Sequence, residues 1–145
     1  MEVIRMSKVA VVYWSSTGNT EAMAQKVAEG IKENGGEVDL IYVTDFSSDD
    51  MDHYDAVAFG CPSMGAEELE DGEFEPVFSE CKEKLKDKKI ALFGSYDWGD
   101  GEWMRTWEET CRNEGAILVC DSVICNLEPD DEGEAACIAL GKAIS

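Results

Sequence analysis

Val9-Ala10-Val11-Val12-Tyr13 is apolar at every position and rich in β-branched side chains. A strand of that kind is covered on both faces, which happens when helices flank a parallel sheet. A helical pattern follows directly. Met23, Ala24, Val27, Ala28 and Ile31 recur at helical spacing with charged residues between them, and Asn34-Gly35-Gly36 supplies a left-handed stop. Residues 38–43 read as a second strand, whose Asp39 suits an edge position. Three more short apolar runs, 56–60, 90–94 and 116–120, each end in a small or polar residue. Between and after them lie the stripes Phe74, Val77, Phe78, Cys81, Leu85, then Trp103, Trp107, Cys111, then Ala136, Leu140, Ile144; Pro76 is tolerated in a first helical turn. Strict alternation of five strands with four or five helices predicts an α/β fold, a doubly wound five-stranded parallel sheet with helices on both faces. No internal repeat or linker divides residues 8–145, which read as one domain behind a short extension over 1–7.

Ligands of such sheets bind outside the carboxyl ends of the strands, at the switch point. The loop after the first strand is Ser15-Ser16-Thr17-Gly18-Asn19-Thr20: four hydroxyls, one amide and one glycine between a strand and a helix. Helix N-termini offer unpaired N–H groups, and short hydroxyls add donors without charge, so the loop predicts a phosphate. A turn with a single Ser or Thr cap would need one or two of these residues. There is no Lys for a P-loop and no second or third Gly for a dinucleotide fingerprint. A phosphatase loop would need Arg six residues after Cys61, where Glu67 stands, and a receiver would need an Asp where Gly60-Cys61 stands. The site holds a phosphate and has nothing to attack it with.

The loops after the third and fourth strands each present a large side chain beside glycine: Met64 before Gly65, and Trp98 before Gly99. Facing each other, they could enclose a flat ring. The alternative is that they cap the core. The six cysteines form no C-x-x-C pair and read as buried reduced thiols of a cytoplasmic protein, with no metal site; His53, the only histidine, reads as an exposed loop residue. With 32 Asp+Glu against 12 Lys+Arg, the net charge of −20 argues against nucleic acid and anionic membranes as partners. The longest apolar run, 9–14, is too short to span a bilayer. A folded monomer is expected.

These residues resemble the flavodoxins, specifically the short-chain clostridial type, along the chain from Lys8 onward. The resemblance rests on residues 12–20, 60–65, Glu73-Phe74-Glu75-Pro76, 92–101 and Glu128-Pro129-Asp130. It implies a flavodoxin-like sheet of order 2-1-3-4-5, noncovalent FMN, and one-electron transfer between redox proteins. Cofactor contacts would come from Ser15, Ser16, Thr17, Gly18, Asn19 and Thr20 for the phosphate, and from Pro62, Ser63, Met64, Gly65, Ala66 and Glu67 on one side of the ring. Ser95, Tyr96, Asp97, Trp98 and Gly99 would supply the other side, with Trp98 stacking outermost, Glu67 at the pyrimidine edge and Asn126 a candidate from the last loop. Three positions depart from the family pattern: Ser16 and Asp97 replace common glycines, and Ala66 replaces a common polar residue.

The resemblance further implies that the Gly65–Ala66 peptide flips with redox state, and glycine makes the positive φ of a type II′ turn possible there. Gly65→Ala should then reduce the semiquinone population. Six acids and no base lie in residues 61–76, and Asp97, Asp100 and Glu102 join them in the other loop. These nine would oppose a fully reduced, anionic flavin and favour a low-potential carrier shuttling between semiquinone and hydroquinone. They would also steer redox partners with basic docking surfaces. A quinone or flavin reductase oxidising NAD(P)H is the alternative, for which this short chain has little pocket; a flavin-free module on the same fold is another.

Overall fold

A computed structural model describes residues 7–145. The extension expected over 1–7 lies outside the described residues apart from Ser7, whose carbonyl accepts the Glu37 N–H. In chain order the elements are β1 (Lys8–Tyr13), α1 (Asn19–Glu33), β2 (Glu37–Tyr42), β3 (Ala56–Gly60), α2 (Phe74–Cys81), β4 (Lys89–Tyr96), α3 (Glu102–Asn113), β5 (Ile117–Leu118), β6 (Val123–Asn126) and α4 (Asp131–Ile144). Every strand pairing is parallel, and the order is β2-β1-β3-β4-β5. Helices cover both faces, as the alternation predicted.

Pleating sorts each central strand between two cores. Val9 and Val11 of β1, Ala56 and Ala58 of β3, and Ala91 and Phe93 of β4 pack with side chains of α1 and α4. Ala10, Val12, Val57, Phe59, Ile90 and Leu92 face the aromatic layer of α2 and α3, where Phe74, Phe78, Trp103 and Trp107 lie. The alanine-rich side lets its helices come close. A Cβ on Gly30 would stand 2.1 Å from the Ile138 carbonyl oxygen, and one on Gly141 2.1 Å from that of Val27, so α1 and α4 meet backbone to backbone.

Two local expectations are corrected. The fifth strand, expected over 116–120, is only Ile117–Leu118; after Val119 donates to the Ile90 carbonyl, the chain leaves the sheet through Asp121 and Ser122. It returns as β6, a sixth strand that pairs with the C-terminal half of β4, Phe93 opposite Val123 through Tyr96 opposite Asn126. The Ser122 hydroxyl donates to Glu108 of α3 at 2.7 Å, which holds the excursion in place. The apolar stripe from Phe74 to Leu85 is also not one helix: α2 ends at Cys81, and Lys82–Lys84 tightens into a 3₁₀ turn that still delivers Leu85 to the core. Short 3₁₀ segments at Val43–Asp45 and Ser48–His53, between β2 and β3, are further additions. Edge placement of β2 agrees with its pattern, and Leu40 is 42% exposed there. All six cysteines are free thiols, five of them buried, and His53 is exposed.

Candidate functional site

The carboxyl ends of β1, β3 and β4 bring three loops together at the point where the chain turns from one side of the sheet to the other. Gly18 precedes α1 with φ +97°, in open space, so its conformation and not crowding calls for glycine. Ser15 Oγ accepts the N–H of Gly18, the cap residue, at 3.1 Å and of Glu21, in the first turn, at 3.3 Å. Among the described residues no acceptor takes the N–H of Asn19 or Thr20. Thr20 and Ser95 are buried and their hydroxyls lie 2.8 Å apart, while the Ser95 N–H donates to Thr20 Oγ1. Two hydroxyl protons serve one shared bond, so one remains free to donate.

These groups border a cavity of about 150 Å³. Ser15, Ser16, Thr17, Asn19 and Thr20 form one wall, Pro62, Ser63 and Met64 a second, and Ser95, Tyr96, Asp97 and Leu127 a third. Hydroxyls, a helix N-terminus and no cation make a donor set that fits a phosphate ester. It has no nucleophile: burial pushes the Cys61 thiol far above its ordinary range, while its sulfur contacts the Glu70 N–H and the Pro62 carbonyl.

Beyond the second wall, Met64 and Glu68 exchange both backbone hydrogen bonds, at 2.8 and 2.9 Å, and close a hairpin over 64–68. Gly65 has φ +53°, the sign expected for the turn, and Glu67 has φ +56°, a left-handed non-glycine residue. The hairpin's flank is braced throughout. Ser63 N–H donates to the Ser95 carbonyl; Glu70 accepts the N–H groups of Gly72, Glu73 and Phe74 at 2.7–2.8 Å; and the Trp14 indole donates to Glu73 at 2.8 Å. Burial pushes the Glu70 carboxyl upward, but those three donors outweigh it and hold its pKa below the ordinary value.

Three residues take positions that sequence reasoning did not assign. Glu67 Oε1 accepts the N–H of Gly101 and Glu102 at 3.2 and 3.1 Å, capping α3. Gly99, φ +92°, leaves it room, since a Cβ there would stand 2.5 Å from that oxygen. Asn126 ends β6 and donates its amide to the Tyr96 and Asp97 carbonyls, bracing the fourth-strand loop from outside the cavity. Leu127, φ +59° and 48% exposed, lines the cavity and was missed; an apolar residue standing alone before Glu128-Pro129 was the available signal. Gly18, Gly65, Ala66, Trp98 and Gly99 do not line the cavity, and Trp98 stands 60% exposed beyond it.

A family model described as flavodoxin matches residues 11–141. The chain is 48% identical over 135 residues to a flavodoxin of Clostridium beijerinckii, covering 93% of this chain and 97% of the relative. It is 44% identical over 135 residues to a flavodoxin of Megasphaera elsdenii, covering 93% and 96%. The solution structure of two-electron reduced Megasphaera elsdenii flavodoxin superposes with a TM-score of 0.87 at 45% identity, covering 94% of this chain and 97% of that one.

Proposed function

The chain belongs to the flavodoxin family and is a small FMN-binding electron carrier without a substrate reaction of its own; from that premise we propose how its residues hold the cofactor and meet a partner. FMN supplies single-electron chemistry when bound, and the protein supplies position and field. Ser15, Ser16, Thr17, Gly18, Asn19 and Thr20 hold the phosphate, helped by the hydroxyl that the Thr20–Ser95 pair leaves free. Met64 and Trp98 flank the ring, with Pro62, Ser63, Gly65 and Ala66 on the first side and Ser95, Tyr96, Asp97 and Gly99 on the second. Glu67 holds the loop beside the ring to α3, and Asn126 positions the Tyr96–Asp97 backbone.

The observation that carries this reading is the cation-free, hydroxyl-lined cavity at the start of α1. Apoprotein titrated with FMN and with riboflavin, which lacks the phosphate, tests it. Thr17→Ala should weaken FMN about 10-fold, roughly one charge-assisted hydrogen bond, and leave riboflavin almost unchanged. Equal loss for both ligands would place the phosphate elsewhere.

Partners are redox proteins, and we infer that they present basic faces. Glu68, Asp71, Asp97 and Glu102 are exposed around the site. A monomer fits this use, since a partner must reach the ring edge. Among the described residues no helix is long and apolar enough to cross a membrane, and six free thiols accord with a cytoplasmic location. The reductase reading is not favoured, because the matched relatives are flavodoxins.

A further inference from the structure

Two of the six free thiols lie side by side where β6 meets α4. Cys125 belongs to the strand and Cys137 to the helix, and both pack into the core that α1 and α4 share. Cys137 is fully buried and donates a hydrogen bond to Cys125 Sγ. Gly133 makes the approach possible. It stands one turn before Cys137 on the same face of α4, and a Cβ there would lie 2.8 Å from Cys125 Sγ. Any larger residue would push the strand thiol off the helix.

The hydrogen bond from Cys137 holds the Cys125 thiol below its ordinary value, against burial and the nearby Asp130 carboxylate. Burial instead pushes the Cys81 and Cys111 thiols up to about 12 and raises those of Cys61 and Cys120. The thiolate is the form that attacks an oxidant, so Cys125 is the reactive member of the set. Access favours it too. Cys125 keeps 7% exposure and borders a cavity of about 330 Å³ at the start of α4, with Asn126, Asp130 and Gly133. Hydrogen peroxide is only slightly larger than water, and Cys137 needs no path from solvent because its reaction partner is Cys125. We propose that Cys125 and Cys137 form a reversible disulfide when the protein meets hydrogen peroxide. Cys125 Sγ, having released its proton, attacks one peroxide oxygen; the O–O bond breaks, hydroxide leaves and takes up that proton, and Cys125 becomes a sulfenic acid. Cys137 Sγ then attacks the Cys125 sulfur, and its proton departs with the S–OH oxygen as water. Two thiols give up two electrons, and one peroxide becomes two waters. The new bond staples β6 to α4 one residue before Asn126, whose amide braces the Tyr96 and Asp97 carbonyls.

The test exposes FMN-loaded protein, in the dark, to hydrogen peroxide, then blocks the remaining thiols and maps the peptides without reduction. The peptide carrying Cys125 should be joined to the one carrying Cys137. Intact mass before blocking should fall by two hydrogens and the thiol count should fall from six by two, with dithiothreitol restoring both. Cys137→Ala, an apolar replacement in an apolar core, should abolish the link and leave a sulfenic acid at Cys125 that dimedone captures. Cys125→Ala should leave Cys137 unoxidised. Cys125 and Cys137 left unlinked, a different pair joined first, or a link that forms only in urea overturns the proposal. Dimedone labelling of the Cys137→Ala protein at other cysteines but not at Cys125 overturns it as well. The wild-type map decides the link whatever the stability of the variants.

Discussion

At the residue scale, the side chains with unusual chemistry were legible, and those doing ordinary work in unusual places were not. Six hydroxyl, amide and glycine residues in a row predicted an anion site, and the structure brings five of them to one wall of a cavity. Glu67 and Asn126 carry no such signal, because a carboxylate or amide bonded to backbone looks in sequence like any surface residue. Gly65 offers a direct check. Its φ of +53° with open space around the missing Cβ means that Gly65→Ala carries only the left-handed backbone penalty, about 1–2 kcal/mol. Urea unfolding of the apoprotein should show that loss. Glu70 gives a second check. Because its carboxyl is held below its unfolded value, it stabilises the fold at and above neutral pH and loses that contribution as pH falls through the depressed value. Glu70→Gln should destabilise by about 1–2 kcal/mol at pH 7, and the gap from wild type should close below about pH 4. Unfolding midpoints measured from pH 7 to 3 decide this; a gap independent of pH would mean that charge is not what the three N–H donors recognise.

At the element scale, length decided what sequence could reveal. β1, β3 and the long helices each carry enough periodic positions to stand out, and the bounds of these two strands were read to within a residue. β5 and β6 have two and four residues, too few for a period, and only pairing with β4 makes them strands. The same holds for the 3₁₀ turns, where Met51 and Phe46 reach the core from segments without repeats. The crossing of α1 and α4 was invisible as well, since Gly30 reads as a weak helix residue and not as a contact. Gly30→Ala should improve helix propensity by about 1 kcal/mol, yet drive a methyl to 2.1 Å from a backbone oxygen. Overpacking of that kind outweighs the gain, for a net loss of roughly 1–3 kcal/mol. A lowered urea midpoint would bear this out; a raised one would show that the helices separate easily.

At the scale of the whole molecule, the charge of −20 was evident from the start, but its distribution was not. Of the nine acids in the two ring loops, Glu67 and Glu70 accept backbone N–H groups, Glu73 accepts an indole N–H and Asp100 pairs with Arg105 at 3.0 Å. Four of the nine therefore also build the loops, and those that accept N–H groups keep their charge and add to the field of the rest. At about 10 Å and an intermediate dielectric, one carboxylate opposes added negative charge by roughly 0.5–1 kcal/mol, or about 20–40 mV for one electron. Asp97→Asn should raise the lower reduction potential by up to that amount at low salt, read by potentiometric titration. Electron delivery to the basic acceptor cytochrome c should also slow as ionic strength rises.

The unequal packing on the two sides of the sheet implies two opposite kinds of mutational tolerance. Toward α1 and α4, Ala56, Ala58, Ala91, Gly30 and Gly141 stand where backbone and sheet approach closely, so at these positions there is little to delete and additions are damaging. Toward α2 and α3, built on Phe59, Phe74, Phe78 and Trp107, truncations open large voids. Selection would thus police these small positions against growth and the aromatic ones against shrinkage.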